Sequence, residues 1–186
     1  MLQEALERDQ NYSWAHQELG RTRRLQGRLI EAKIEFETAI FLDHSNTRAI
    51  NQLAIILIYL GLPEESLPHF DKLLRLDPRS QHKFYRLFWA GYCHIFLRRL
   101  DEAIDFLRKA CAGGPQHWAG HLNLAAALAL RGDLDEARLC LTEALRLNPQ
   151  ITSIAKFPDF RGTAEYTALR EKTLFVGLRR AGLPEQ

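Results

Sequence analysis

Apolar and polar residues alternate along this chain with the period of a helix, and the pattern repeats. Ala32, Phe36 and Ala39 lie four and three residues apart, as do Ala103, Leu107 and Ala110, and again Ala137, Leu141 and Ala144. Residues at these offsets share one helical face. A small residue there lets a neighbouring helix come close, and the large one fills the space between the two. Twelve residues before the first alanine of each set stands another small residue: Gly20 before Ala32, Gly91 before Ala103, Ala125 before Ala137. A fourth pair, Ala54 and Ser66, keeps the same interval. Each stretch therefore predicts two consecutive helices with matched small positions. Between them, at constant phase, stand Gly27, Gly61, Arg98 and Gly132, where a tight turn needs the backbone freedom of glycine. Asp77-Pro78, Gly114-Pro115 and Asn148-Pro149 close the pairs, because proline cannot continue a helix.

The pairs fall into residues 13–46, 47–80, 84–117 and 118–151, each 34 residues long, with 81–83 as a short insertion. With this period and helix–turn–helix content the sequence resembles the tetratricopeptide repeat family. The resemblance implies an all-α, right-handed superhelical solenoid of stacked antiparallel helix pairs, with the first helix of each pair lining a concave groove. Local departures are His44 in place of the usual proline, and Ser66 and Leu73 in place of two small alanines. Pro63 suits the first turn of its helix, whereas Pro68 is expected to kink that helix or delay its start.

Residues 1–12 read as the second half of a truncated repeat: Ala5 stands at the place of Ala144 and Asp9 at that of Asn148. The expectation is a chain that begins mid-repeat as a piece of a longer protein, with an exposed first helix able to drive homodimers. Residues 152–186 leave the repeat. Thr152–Thr163 reads as a loop, and Ala164–Ala181 as one capping helix with Tyr166, Leu169, Leu174, Val176 and Leu178 at helical spacing, closed by Gly182 and Pro184. The wording of residues 170–185 resembles the segment that closes the repeat region of bacterial class III adenylate/guanylate cyclases, and repeat-containing transcriptional regulators share the style. That resemblance implies a regulatory C-terminal region behind an effector domain; no cyclase metal-binding aspartate can be carried onto this chain.

Composition narrows the function. Apolar residues make up 46% and charged residues 26%, and the formal charge is +2, too balanced to argue for nucleic acid or an anionic membrane. No apolar run spans a bilayer and no signal peptide is present, so the expected location is cytoplasmic. The three cysteines, Cys93, Cys111 and Cys140, form no CxxC pair and read as small buried hydrophobes. His117 and His121 have the spacing of a metal clip but no third ligand, and read as helix-start polar residues. Phosphate loops and nucleophile elbows are missing. The acidic pairs Asp101-Glu102 and Asp135-Glu136 oppose a helix dipole. No catalytic residue, cofactor or metal is expected.

What remains is protein recognition. The groove-lining phases of the first helices hold Arg21, Arg24, Asn51, Gln52, Ile55, Tyr59, Tyr85, Trp89, Tyr92 and Asn123. The arginines suit an acidic segment. Phe84, Tyr85, Phe88, Trp89 and Tyr92 form a dense aromatic cluster of the kind found at binding hot spots. The alternative is that the C-terminal segment or an interdomain contact already covers it. Glu18 and Gln52 disturb the family's carboxylate clamp for chaperone tails. The expected partner is a protein or peptide, intermolecular or intramolecular.

Overall fold

A computed structural model describes residues 12–157 and 162–186. The half-repeat expected over residues 1–12 lies, apart from Tyr12, outside the described residues, as do Pro158 and Asp159 of the expected loop. Every regular element among the described residues is helical. Eight helices come as four consecutive pairs: α1 (Ser13–Leu25) with α2 (Leu29–Leu42), α3 (Thr47–Tyr59) with α4 (Pro63–Leu76), α5 (Lys83–Phe96) with α6 (Leu100–Gly113), and α7 (Trp118–Arg131) with α8 (Leu134–Leu147). A 3₁₀ turn (Ile154–Lys156) leads to α9 (Ala164–Arg170), a π turn (Glu171–Phe175) and α10 (Val176–Ala181). The chain divides into two compact units, residues 1–78 and 79–186.

One turn design serves all four pairs. Gly27, Gly61 and Gly132 take φ of 77°, 78° and 112°, and Arg98 takes 60° at the same place. The next residue in each turn sends its N–H back five residues: Arg28 to Arg23 O, Leu62 to Leu57 O, Arg99 to His94 O and Asp133 to Leu128 O, at 2.8–3.0 Å. This closure satisfies carbonyls that the helix end would otherwise leave bare. Only glycine reaches that backbone region without cost, so Arg98 is a strained member of the set.

In unit 1 the core is built from small-on-large contacts. Gly20 lies so close to the Phe36 ring that a Cβ on it would sit 2.9 Å from the ring carbons. Ala32, Phe36, Ala39 and Ala49 are fully buried, and Leu53, Ile56, Leu57 and Leu60 extend the cluster. Burying a phenylalanine in this way contributes roughly 2–3 kcal/mol. Asn46 caps α3 by accepting from Ala49 N at 3.0 Å. Ser66, which replaces an alanine, is fully buried, and its hydroxyl donates to Ala54 O at 2.8 Å, so the extra polar atom is satisfied. Leu73 is fully buried in the other alanine position. Pro68 does not delay α4, which starts at Pro63 and runs through it; Pro68 lies on the exposed side and simply gives no N–H to the ladder.

Unit 2 repeats the scheme with Gly91 against Leu107, where an added Cβ would be 2.6 Å from Leu107 Cγ. Ala103, Leu107, Ala125 and Ala137 are buried. The unit differs in its ending. A following repeat would lay its first helix against the preceding second helix, as α7 does on α6. Instead α10 packs mainly against the first helix α7, and the π turn touches both α5 and α7. The C-terminal segment thus folds back over the first helices. The expected single helix over Ala164–Ala181 is continuous but carries the π turn in its middle. The reason lies in the register: Tyr166, Arg170, Leu174 and Leu178 are all buried at strict four-residue spacing. A 3.6-residue period drifts away from such a row, and the wider π turn restores the alignment.

Candidate functional site

The repeat register assigns each first-helix position its counterparts. Trp14, Arg48, Tyr85 and Ala119 occupy one column; Glu18, Gln52, Trp89 and Asn123 the next; Arg21, Ile55, Tyr92 and Ala126 a third; Leu25, Tyr59, Phe96 and Leu130 a fourth. Within each unit these positions form the face that the first helices present away from their second helices. It is accessible in unit 1; in unit 2 the last three columns are buried while Tyr85 of the first stays exposed.

In unit 2, Tyr92, Trp89 and Asn123 are 4%, 9% and 3% exposed. The expectation that they line an open groove is therefore corrected. The Tyr92 hydroxyl lies 3.2 Å from that of Tyr166 on α9, and the Phe96 ring meets the Tyr166 ring edge-on at 5.8 Å. Gly177 on α10 sits on the α7 backbone, where a Cβ would fall 2.4 Å from Ala126 O. Trp89 and Asn123 lie one turn before Tyr92 and Ala126 on the same two helix faces. The Trp89 ring stacks edge-on with Phe88 at 5.0 Å and with Tyr92 at 5.7 Å. Arg170 is buried with its guanidinium over the rings of Phe175, Phe157 and Tyr166 at 4.7, 5.3 and 5.5 Å. This charge is held by aromatic faces, an arrangement that strengthens as water is excluded. The ends of the segment are tied as well: Ile154 N donates to Pro184 O at 2.9 Å and Ala155 N to Glu185 O at 3.1 Å. Gly182 ends α10 at φ 109°, and Arg179 ion-pairs with Glu185 at 2.7 Å.

The rest of the aromatic cluster has a packing role. Phe84, Tyr85 and Phe88 surround the His117 ring at 5.7, 5.0 and 4.8 Å. Burial, and then the charge of His121, push the His117 pKa below its ordinary value. His121 meets Pro115 O at 3.0 Å, so neither histidine is arranged as a metal clip. No group of three His, Cys, Asp or Glu among the described residues could hold a metal ion. Tyr85 alone of the cluster's candidates stays exposed, at 42%. The cysteines are free. Cys93 is buried, but Cys111 and Cys140 are only half-buried, short of the expected full burial. Burial, assisted by Cys140, pushes the Cys111 thiol up to about 12, which keeps it protonated and unreactive.

In unit 1 the same columns are accessible. Arg21 is exposed, its Nε donating to Glu18 at 2.9 Å. Asn51, Gln52, Ile55 and Tyr59 are half-buried on α3. Arg24 is half-buried on α1, in the column of the buried Ile58 and Ile95 rather than in the open columns, and among the described residues neither its Nε nor the Gln52 Oε1 has a hydrogen-bond partner. The register adds three residues that composition and motif had not singled out: Trp14 and Leu25, which are 48% and 66% exposed, and Arg48, also exposed. The signal for them was the repeat itself, extended to every first-helix position.

Consecutive antiparallel helix pairs with a common turn define a helical-repeat protein. Tetratricopeptide repeat family models match residues 118–151 and 51–117, together more than half of the sequence, and the chain belongs to the tetratricopeptide repeat family. Among curated proteins it is similar to BBSome complex member BBS4 of Bos taurus, at 26% identity over 131 residues, covering 70% of this chain and 24% of that protein. It is also similar to tetratricopeptide repeat-containing protein trd-1 of Caenorhabditis elegans, at 29% identity over 150 residues, covering 80% of this chain and 18% of that protein. The chain spans about a quarter or less of the length of these relatives. Among solved structures, YrrB, described as a TPR protein with an unusual peptide-binding site, aligns with a TM-score of 0.67 at 20% identity, over 97% of this chain and 90% of that one. The Cut9–Hcn1 tetramer structure of the APC/C aligns with a TM-score of 0.74 at 17% identity, over 97% of this chain and 32% of that one. At such identities these structures speak to the fold. Proteins built from these repeats are generally interaction scaffolds, and the fold is typically non-enzymatic. No helix among the described residues is long and apolar enough to cross a membrane.

Proposed function

We propose that this chain is a protein-interaction scaffold that receives an acidic, partly apolar segment of a partner protein on the first-helix face of unit 1. The observation that carries this reading is the contrast in occupancy. Beyond Tyr85, the first-helix face of unit 2 is buried, with Tyr92, Phe96 and α7 packed against the chain's own residues 164–181, whereas the equivalent columns of unit 1 stay accessible with large side chains on them. The intramolecular occupant also indicates what such a face accepts: a helix anchored by aromatic and leucine side chains. In unit 1 the columns carry Arg21, which ion-pairs with Glu18 at 2.9 Å, and the exposed Arg48, which leaves a positive balance and favours carboxylates on the ligand. Trp14, Leu25, Ile55 and Tyr59 supply apolar and aromatic anchors. A YrrB-like peptide site and membership of a multiprotein complex, as for BBS4, are the kinds of role this reading extends to the present chain. The cyclase-linked alternative rests on the wording of residues 170–185 alone, and those residues already have a packing role over α7.

The test is a selection of peptides from a displayed library on the full chain, followed by binding measurements by fluorescence anisotropy. The expected ligands are enriched in Asp and Glu around apolar anchors. Arg21→Glu and Leu25→Asp weaken them by about tenfold or more, near 1.4 kcal/mol each, with the melting temperature unchanged because both side chains are exposed. Binding indifferent to both substitutions refutes this placement.

A further inference from the structure

A second surface, on the opposite side of the first repeat, is unlike its counterparts. Helix α2 exposes Ile30, Ile34 and Phe41 at 61%, 56% and 76%. With Glu37 they follow a four-three-four spacing, the seam of a coiled coil. In the other second helices the same outward positions are occupied by Glu64, Pro68 and Arg75, by Asp101, Asp105 and Ala112, and by Asp135, Leu139 and Arg146, all exposed. Only Leu139 among those nine is a large apolar residue. The outer column therefore carries three large apolar residues in the first repeat and at most one, Leu139, in any other. Within unit 1, α2 packs on α1 and α3 through its other face, so the stripe is left over after the repeat has closed its core.

We infer that this stripe is the site at which two copies of the chain associate, α2 against α2, in antiparallel order. The charges on the helix select both occupant and direction. Lys33 flanks the seam and holds Glu37 at 2.8 Å within its own helix. A parallel pairing sets Glu37 against Glu37 in an apolar seam, where two carboxylates repel. The antiparallel pairing has its two-fold axis between positions 34 and 37. It lays Ile30 of one copy over Phe41 of the other and Ile34 over Glu37, and it brings Lys33 of each copy beside Glu37 of the other. Every charge in the seam finds its opposite, and the surface is complementary to itself, as a closed two-fold interface requires. A foreign helix would need to bring its own matching pair; a second copy brings it by construction. This surface is independent of the first-helix face proposed for ligand capture.

The test uses the full chain and measures solution mass by light scattering from low micromolar to near-millimolar concentration. The expected result is a monomer–dimer equilibrium that Phe41→Glu weakens about tenfold or more, with the melting temperature retained because the side chain is largely exposed. Lys33→Glu and Glu37→Lys are each monomeric alone, and an equimolar mixture of the two recovers the dimer. A parent chain that stays monomeric throughout overturns the inference, and so does a dimer that Phe41→Glu leaves intact. Failure of the mixture to recover mass overturns the antiparallel arrangement.

Discussion

Replacing Gly177 by alanine sets two effects of opposite sign against each other. Helix propensity favours alanine over glycine by about 1 kcal/mol in a helix interior. Packing opposes it. A Cβ at Gly177 falls 2.4 Å from Ala126 O and 2.9 Å from the Ala126 carbonyl carbon and Cα. An ordinary carbon–oxygen contact is about 3.3 Å or longer, so α10 must retreat from α7 by nearly an ångström. The clashing atoms are backbone, which no rotamer change can move aside. Overpacking of this kind costs about 1–3 kcal/mol, and rigid neighbours place it at the upper end. A gap approaching an ångström also weakens the dispersion contacts beside it. The expected net effect is a loss of about 2 kcal/mol. The assay is chemical denaturation followed by tryptophan fluorescence in a Trp14→Phe background, which leaves Trp89 and Trp118 reporting on unit 2. Limited proteolysis should show earlier release of residues 164–186. Equal or greater stability of Gly177→Ala would refute the close approach of α10 and α7, and with it the claim that this segment occupies the face.

Arg98→Gly should stabilise the protein by about 0.5–1 kcal/mol, because the left-handed conformation at φ 60° costs an arginine about 1–2 kcal/mol and glycine gives back part of that through unfolded-state entropy; thermal denaturation reads it. Ala137→Leu should destabilise by about 1–3 kcal/mol, since Ala137 is fully buried at the small position of the last pair; an unchanged melting temperature would undermine the register. His117 has its pKa lowered by burial, so the unfolded chain takes up a proton first as pH falls below about 6.5. Stability is held above that pH and declines on acidification through the window between the unfolded and folded values. His117→Gln should flatten the decline in melting temperature between neutral and mildly acidic pH, leaving the share from His69, which is lowered by burial in the same direction.

The helix pairs were legible because their cause is local and repeated. Each pairing of a small residue with a large one sixteen positions later, Gly20 with Phe36 or Gly91 with Leu107, is visible as spacing, and the structure turns it into contact. The turn phase was legible for the same reason, even where Arg98 replaces glycine. The fate of the last helix was not. Tyr166, Leu174 and Leu178 could have covered the end of the stack or the first-helix face, since both surfaces are apolar. Gly177 opposite Ala126 decides between them, and that match lies between two segments with no shared period. The aromatic cluster misled in a related way. A tyrosine hydroxyl suggests an open binding face, but the Tyr92 hydroxyl is met by Tyr166, seventy-four residues on. In unit 1, Arg21, Gln52, Ile55 and Tyr59 occupy first-helix columns that stay accessible, a placement set by repeat phase, whereas Asn51 is half-buried in the column of the buried Gln17.

The π turn at Glu171–Phe175 gives the C-terminal segment an uneven sensitivity to length. Exchanges at the exposed Glu171 and Lys172 would be tolerated, whereas Thr173, Leu174 and Phe175 are buried. The wide turn holds about one residue more than an ordinary helical turn. Losing Glu171 or Lys172 would let it relax to ordinary helix and leave Gly177 facing Ala126. Gaining a residue is a different matter, because that slack is already used: everything after the insertion would rotate by about 100° and slide by about 1.5 Å. A single-codon insertion there should release the whole segment while leaving the repeats ahead of it folded, and a single-codon deletion should not.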